Sequence, residues 1–133
     1  MSWSGVKKQA NKAKIEAWCE KMGIENYTMN SQGEIDVDGC VNLDNIDIKE
    51  LPYKFGRVIG FFSVSNCNLI SLKNCPNILY DFFDCSDNYY LDSLKYIPKE
   101  VGGNIHCGHC KRKFTEEEVK SLCKVDTRYL IYN

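Results

Sequence analysis

Residues 106–110 read His106-Cys107-Gly108-His109-Cys110, two thiols at Cys-x-x-Cys spacing with two imidazoles interleaved. Side chains of these types at this spacing point to two chemistries, half of a tetrahedral zinc site or a dithiol redox pair. A zinc site would draw on Cys107, Cys110, His106 and His109, with Cys123 as a further ligand, but the second Cys-x-x-Cys that completes such sites is absent. A redox pair needs its first cysteine at a helix N-terminus within a β-α-β unit. Here Lys111-Arg112-Lys113-Phe114 follow before any helix can begin. Both chemistries stand as alternatives to a purely structural role for these cysteines.

The acidic residues Glu34, Asp36, Asp38, Asp44, Asp47 and Glu50 crowd one stretch. Asp36 and Asp38 alternate with Ile35 and Val37, the pattern of a charged edge strand with one face in solvent, which is favoured over a calcium or catalytic cluster. The chain has no glycine-rich phosphate loop, no nucleophile elbow and no assembled Ser, His and Asp set. The expectation is therefore a protein that is not an enzyme and needs no cofactor.

The elements that carry these residues follow from an internal period. Val41, Phe62, Phe83 and Ile105 form one apolar column with spacings of 21, 21 and 22, and Leu43, Val64, Cys85 and Cys107 form a second in step with it. Ile48, Leu69 and Leu91 make a third column, and Leu51, Leu72 and Leu94 a fourth. Asn66 matches Asp87, and Cys67, Asn88 and Cys110 share the next position. Such a period predicts units that each give one short strand to a small parallel sheet, then turn on an Asn or Cys whose side chain serves the backbone from inside. Pro52, Pro76 and Pro98 fall on the return segments, where no ladder needs their missing donor. Cys107 then belongs to the inward strand column and Cys110 to the turn column, which accounts for both thiols without a metal.

With 133 residues and 44% hydrophobic composition, the chain is long enough for one domain with its own core. Seventeen basic against eighteen acidic residues exclude a polycationic nucleic-acid binder, although Lys7, Lys8, Lys12 and Lys14 and the run 111–113 leave a basic adaptor as an alternative. No apolar stretch reaches the roughly 18 residues of a membrane span and the N-terminus lacks a signal-peptide core, so the expected location is the cytoplasm and the expected partners include no membrane.

The units "FFSVSNCNLISLKNCP" and "FFDCSDNYYLDSLKYIP", together with residues 26–60 and 101–125, resemble the short leucine-rich-repeat proteins of large bacteriophages. The resemblance covers about 100 residues and implies an α+β leucine-rich-repeat solenoid, with a host bacterial protein as the natural partner. Four repeats would occupy residues 33–114. An N-terminal helix with Ile15, Trp18, Cys19 and Met22 on one face, within residues 1–25, would close one end. A helix with a Thr115 and Glu118 capping box and a Val119, Leu122, Cys123 stripe would close the other, within residues 115–133, its tail forming a final strand or apolar cover.

Alternation then locates a surface. If Phe62 and Phe83 point inward, Phe61 and Phe82 point outward on adjacent strands about 5 Å apart. The next outward column holds Asn42, Ser63, Asp84 and His106. Apolar side chains with polar neighbours mark a protein-binding face. The expectation is a non-enzymatic interaction module that binds through Phe61, Phe82, Ser63, Asp84 and His106, with a homodimer through the same face as the competing way to cover it.

Overall fold

The computed structural model describes the backbone of residues 3–133 and side chains from residue 10 onward. Its core is a stack of chain turns, a β-solenoid in which each turn gives one short strand to each of two sheets. The first sheet runs β1 (Tyr27–Met29), β2 (Ile35–Val37), β4 (Phe55–Val58), β6 (Ile78–Leu79), β8 (Glu100–Val101) and β10 (Lys124–Val125) in spatial order. The second holds β3 (Val41–Asn42), β5 (Phe62–Ser63), β7 (Phe83–Asp84), β9 (Ile105–His106) and β11 (Ile131–Tyr132). All pairings are parallel except that of β1 with β2.

The second sheet reproduces the apolar columns. Val41 pairs with Phe62, Phe62 with Phe83 and Phe83 with Ile105. These four, and Leu43, Val64, Cys85 and Cys107 two residues on, are all buried. The first sheet is an addition to the one strand per unit expected. Its own inward column is Val37, Val58, Leu79 and Val101, each paired with the next. Only a short corner separates the two strands of a turn, Ile59-Gly60-Phe61 for example, so in sequence they merge into a single apolar run.

Two further differences have local causes. Asp36 and Asp38 were expected on an edge strand, but β2 lies inside the first sheet, because a turn at residues 30–33 folds β1 back over it with Asn30 Oδ1 accepting from the Gln32 and Glu34 amides. Leu122 was expected on the apolar stripe of the last helix and is 49% exposed: α2 (Glu116–Leu122) is only two turns long and turns Val119 inward, with Cys123 buried just after it. Of the two forms expected for the tail, the final strand is the one present: β11 extends the second sheet, and β10 adds a strand to the first. The capping box of α2 is present, the Glu118 amide donating to Thr115 Oγ1 at 3.1 Å.

At the N-terminal side, α1 (Trp3–Met22) buries Ile15 and Cys19 in the core, and Trp18 meets Tyr53 and Phe55 edge-on at 5.8 and 6.0 Å. The side chains of Lys7 and Lys8 lie outside the described residues. Among those described, no helix is long and apolar enough to cross a membrane.

The turns are held by polar residues facing inward, as the Asn/Cys column requires. Asn88 is fully buried. Its Oδ1 accepts from the Cys67 and Leu69 amides at 3.0 Å each, and its Nδ2 donates to the carbonyls of Val64, Cys85 and Ser86. Cys67 and Cys110 make a reduced version of the same contact, their thiols donating to Leu43 O at 3.0 Å and Cys85 O at 3.4 Å. In all three turns one acceptor is the carbonyl just past the strand of the preceding turn, Leu43, Val64 or Cys85, so one column locks each turn onto the one before. The residues just before this column, Asn45, Asn66, Asp87 and His109, all have left-handed backbone with φ between 55° and 66°. Asn and Asp tolerate that conformation, and here His109 takes it too.

Candidate functional site

The strand alternation separates the cysteines and histidines of residues 106–110. Cys107 is buried in the core, Cys110 turns inward to the Cys85 carbonyl, His106 faces outward, and His109 occupies the left-handed turn. A period of two puts neighbours on opposite faces, so the four side chains do not converge on one ligand sphere. Among the described residues there is no group of three or more His, Cys, Asp or Glu side chains placed to hold a metal. Burial pushes the Cys107 thiol up to about 11, with the neighbouring Cys110 and Glu118 adding to it, and raises Cys110 as well. A thiol shifted in that direction supplies less thiolate, the form that attacks disulfides and binds metals.

The basic run at 111–113 is largely engaged. The Arg112 guanidinium bonds Glu118 through both terminal nitrogens at 2.9 and 2.8 Å and lies over the Phe114 ring. Lys111 and Arg112 both approach Asp92. These pairings draw Arg112 toward carboxylates of its own chain, away from any phosphate.

The outer face of the second sheet carries an aromatic row. Because Phe62 and Phe83 are fully buried, Phe61 and Phe82 project from the other side of the chain, where their rings stack at 4.6 Å with 6° between planes. Phe82 meets His106 edge-on at 6.1 Å, and His106 stacks on Tyr132 at 4.6 Å. Phe61, Phe82 and His106 are half-buried and Tyr132 is exposed. The spacing of parallel strands, about 5 Å, is close to the stacking distance of aromatic rings, which is why a column repeated once per turn stacks.

Of the residues expected on this face, Phe61, Phe82, Asp84 and His106 lie together, while Ser63 differs. It is buried, its hydroxyl donating to Asp44 Oδ1 at 2.6 Å, because so small a side chain is drawn under its neighbours by that bond. Asp84 is half-buried and accepts from the Ser86 amide and hydroxyl. Tyr132 and Asp44 belong to the face and were not anticipated. Tyr132 follows His106 in register, but α2 makes the spacing 26 residues and hides it from a period of 21–22. Beside His106 and Tyr132 the surface dips into a cleft of about 490 Å³ that Ser86, Gly108 and His109 also line.

No known family model matches this chain, and neither a curated protein nor a solved structure matches it.

Proposed function

We propose that this protein is a non-enzymatic protein-interaction module that binds its partner on the outer face of the second sheet. The observation that carries the reading is the aromatic surface made by two stacked pairs in neighbouring outward columns, Phe61 with Phe82 and His106 with Tyr132, joined by the edge contact of Phe82 with His106 and each partly or fully exposed. Aromatic side chains on a rigid sheet lose little conformational freedom on binding, and bury large areas. The raised thiols of Cys107 and Cys110 and the divergence of His106 and His109 weigh against the redox and zinc alternatives, and the engaged Arg112 weighs against a nucleic-acid adaptor. The resemblance to short repeat proteins of large bacteriophages supports a bacterial host protein as the partner, bound and blocked by occupancy. The cytoplasm of the host is then the place of action.

The test is a pull-down from bacterial lysate, comparing wild type with Phe61→Ser/Phe82→Ser, with mass spectrometry of the retained proteins and a thermal melt of each bait. A stoichiometric partner retained by the wild type and lost in a folded double variant is expected. A partner retained equally by both would remove this face from the account, and a doubled mass in light scattering that the variant abolishes would assign the face to a homodimer instead.

A further inference from the structure

The charge around the aromatic row says what kind of protein surface it fits. Five aspartates lie in or near the outward stretches of the first and third turns of the second sheet: Asp84 in β7, Asp44 just after β3, and Asp47, Asp81 and Asp87 on the adjoining corner and turns. Four of them are held by the scaffold through one oxygen. Asp44 Oδ1 accepts from the Ser63 hydroxyl and the Ser65 amide, Asp84 Oδ1 from the Ser86 amide and hydroxyl, Asp81 Oδ1 from the Phe82 amide and Asp47 Oδ1 from Asn68. Among the described residues, no ion pair reaches any of the five, and no hydrogen bond uses their Oδ2 atoms. The carboxylates are therefore oriented in advance and left with negative charge to be matched.

We infer, resting on the interaction-module reading above, that the partner presents a cationic segment, lysine or arginine side chains interspersed with apolar ones, to the row flanked by Asp44 and Asp84. The stems of lysine and arginine would lie along the ring edges while their heads reach the free carboxylate oxygens. Nucleic acid is disfavoured by the same charge, since its phosphates would meet aspartates. A saccharide would need open ring faces, and the facing surfaces of Phe61 and Phe82 are hidden in each other.

Three fluorescent peptides of one length, alternating leucine with arginine, glutamine or glutamate, serve as probes in an anisotropy titration. The arginine peptide is expected to bind at least about tenfold more tightly than the glutamine one, and to weaken as salt is raised, while the glutamate peptide does not bind. Asp44→Asn/Asp84→Asn should lose about tenfold or more of that affinity. Asparagine keeps the Oδ1 acceptor used by Ser63, Ser65 and Ser86, so the change removes charge and leaves the scaffold bonds. Glu25→Gln/Glu117→Gln, the same charge change at exposed positions elsewhere, should leave binding unchanged. Equal binding of the glutamine peptide, or an equal loss in Glu25→Gln/Glu117→Gln, would overturn the inference. If Asp44→Asn/Asp84→Asn binds as wild type while Phe61→Ser/Phe82→Ser does not, the cationic partner is wrong and the interaction face survives. If neither pair changes binding, both fall.

Discussion

Asn88 shows how one residue can decide a turn. It sits at 0% exposure with two amides donating to its oxygen and carbonyls of two successive turns accepting from its nitrogen, which uses the full capacity of a primary amide. Removing it leaves the Cys67 and Leu69 amides and the Val64 carbonyl buried without partners, at about 1–3 kcal/mol for each group that water cannot reach. Asn88→Ala is expected to lower stability by about 3 kcal/mol or more in urea denaturation. Asn88→Cys should recover part of that loss, because Cys67 and Cys110 fill the same position with a single weak donor. A wild-type midpoint for Asn88→Ala would show that the turns are held by strand pairing alone. His109 carries a related lesson: its neighbourhood suggested chemistry, while its φ of 56° places it with Asn45, Asn66 and Asp87 as the left-handed residue of its turn.

At the scale of elements, the corners between the two sheets impose a steric rule. Successive turns stack corner on corner, and a Cβ at Gly103 would lie 2.7 Å from both Asp81 C and Phe82 N. Backbone atoms cannot swing aside as a flexible side chain could, so Gly103→Ala forces the fourth turn away from the third. It is expected to cost about 1–3 kcal/mol, the usual range for overpacking. Gly108→Ala is the control, since its added Cβ would meet Asn133 at 3.6 Å, an ordinary contact, and should be close to neutral. Comparable melting temperatures for the two variants would mean that the corners are looser than their spacing implies. The corner also matters to the surface, because its last residue, Phe61 or Phe82, starts the outward column.

The molecule as a whole has a core unusually rich in thiols. Cys19, Cys67, Cys75, Cys85, Cys107 and Cys123 are buried and Cys110 is partly so, leaving Cys40 exposed. Burial raises the buried ones, to about 11 for Cys19, Cys67 and Cys107 and about 12 for Cys75 and Cys123, from an ordinary value near 9. A group whose value is raised by folding stabilises the native state fully below its unfolded value, and that contribution is lost as pH climbs toward the folded one. In the unfolded chain the thiols ionise first, so unfolding releases protons above about pH 9 and becomes more favourable with each step in pH. Tyr27, raised to about 12 by its hydrogen bond to Glu20, acts with the seven raised thiols, and Lys54, lowered by burial, acts in the opposite direction. The melting temperature in reductant should therefore be flat up to about pH 8 and fall steadily from about pH 9 to pH 11. A flat profile through that window would mean that the core thiols are already open to solvent.

The repeat was written in the sequence because a stacked turn must present the same kind of side chain at the same place each time. The columns beginning at Val41 and Leu43 and the shared turn position of Cys67, Asn88 and Cys110 could be read from spacing alone, and so could the inward fate of both cysteines of residues 106–110. The outward direction of Phe61 and Phe82 was conditional in sequence, since tandem phenylalanines fit either register, and only the buried Phe62 and Phe83 decide it. The second strand of each turn was hidden by corners too short to interrupt an apolar run, and the last turn by an inserted helix that broke the period. The burial of Ser63, the place of Tyr132 at the end of the row and the fixed aspartates beside it were matters for tertiary structure. The burial of Ser63, the place of Tyr132 and the anchoring of Asp44 depend on contacts between residues about 20 or more positions apart, and a local pattern does not encode which neighbours the next turns will supply.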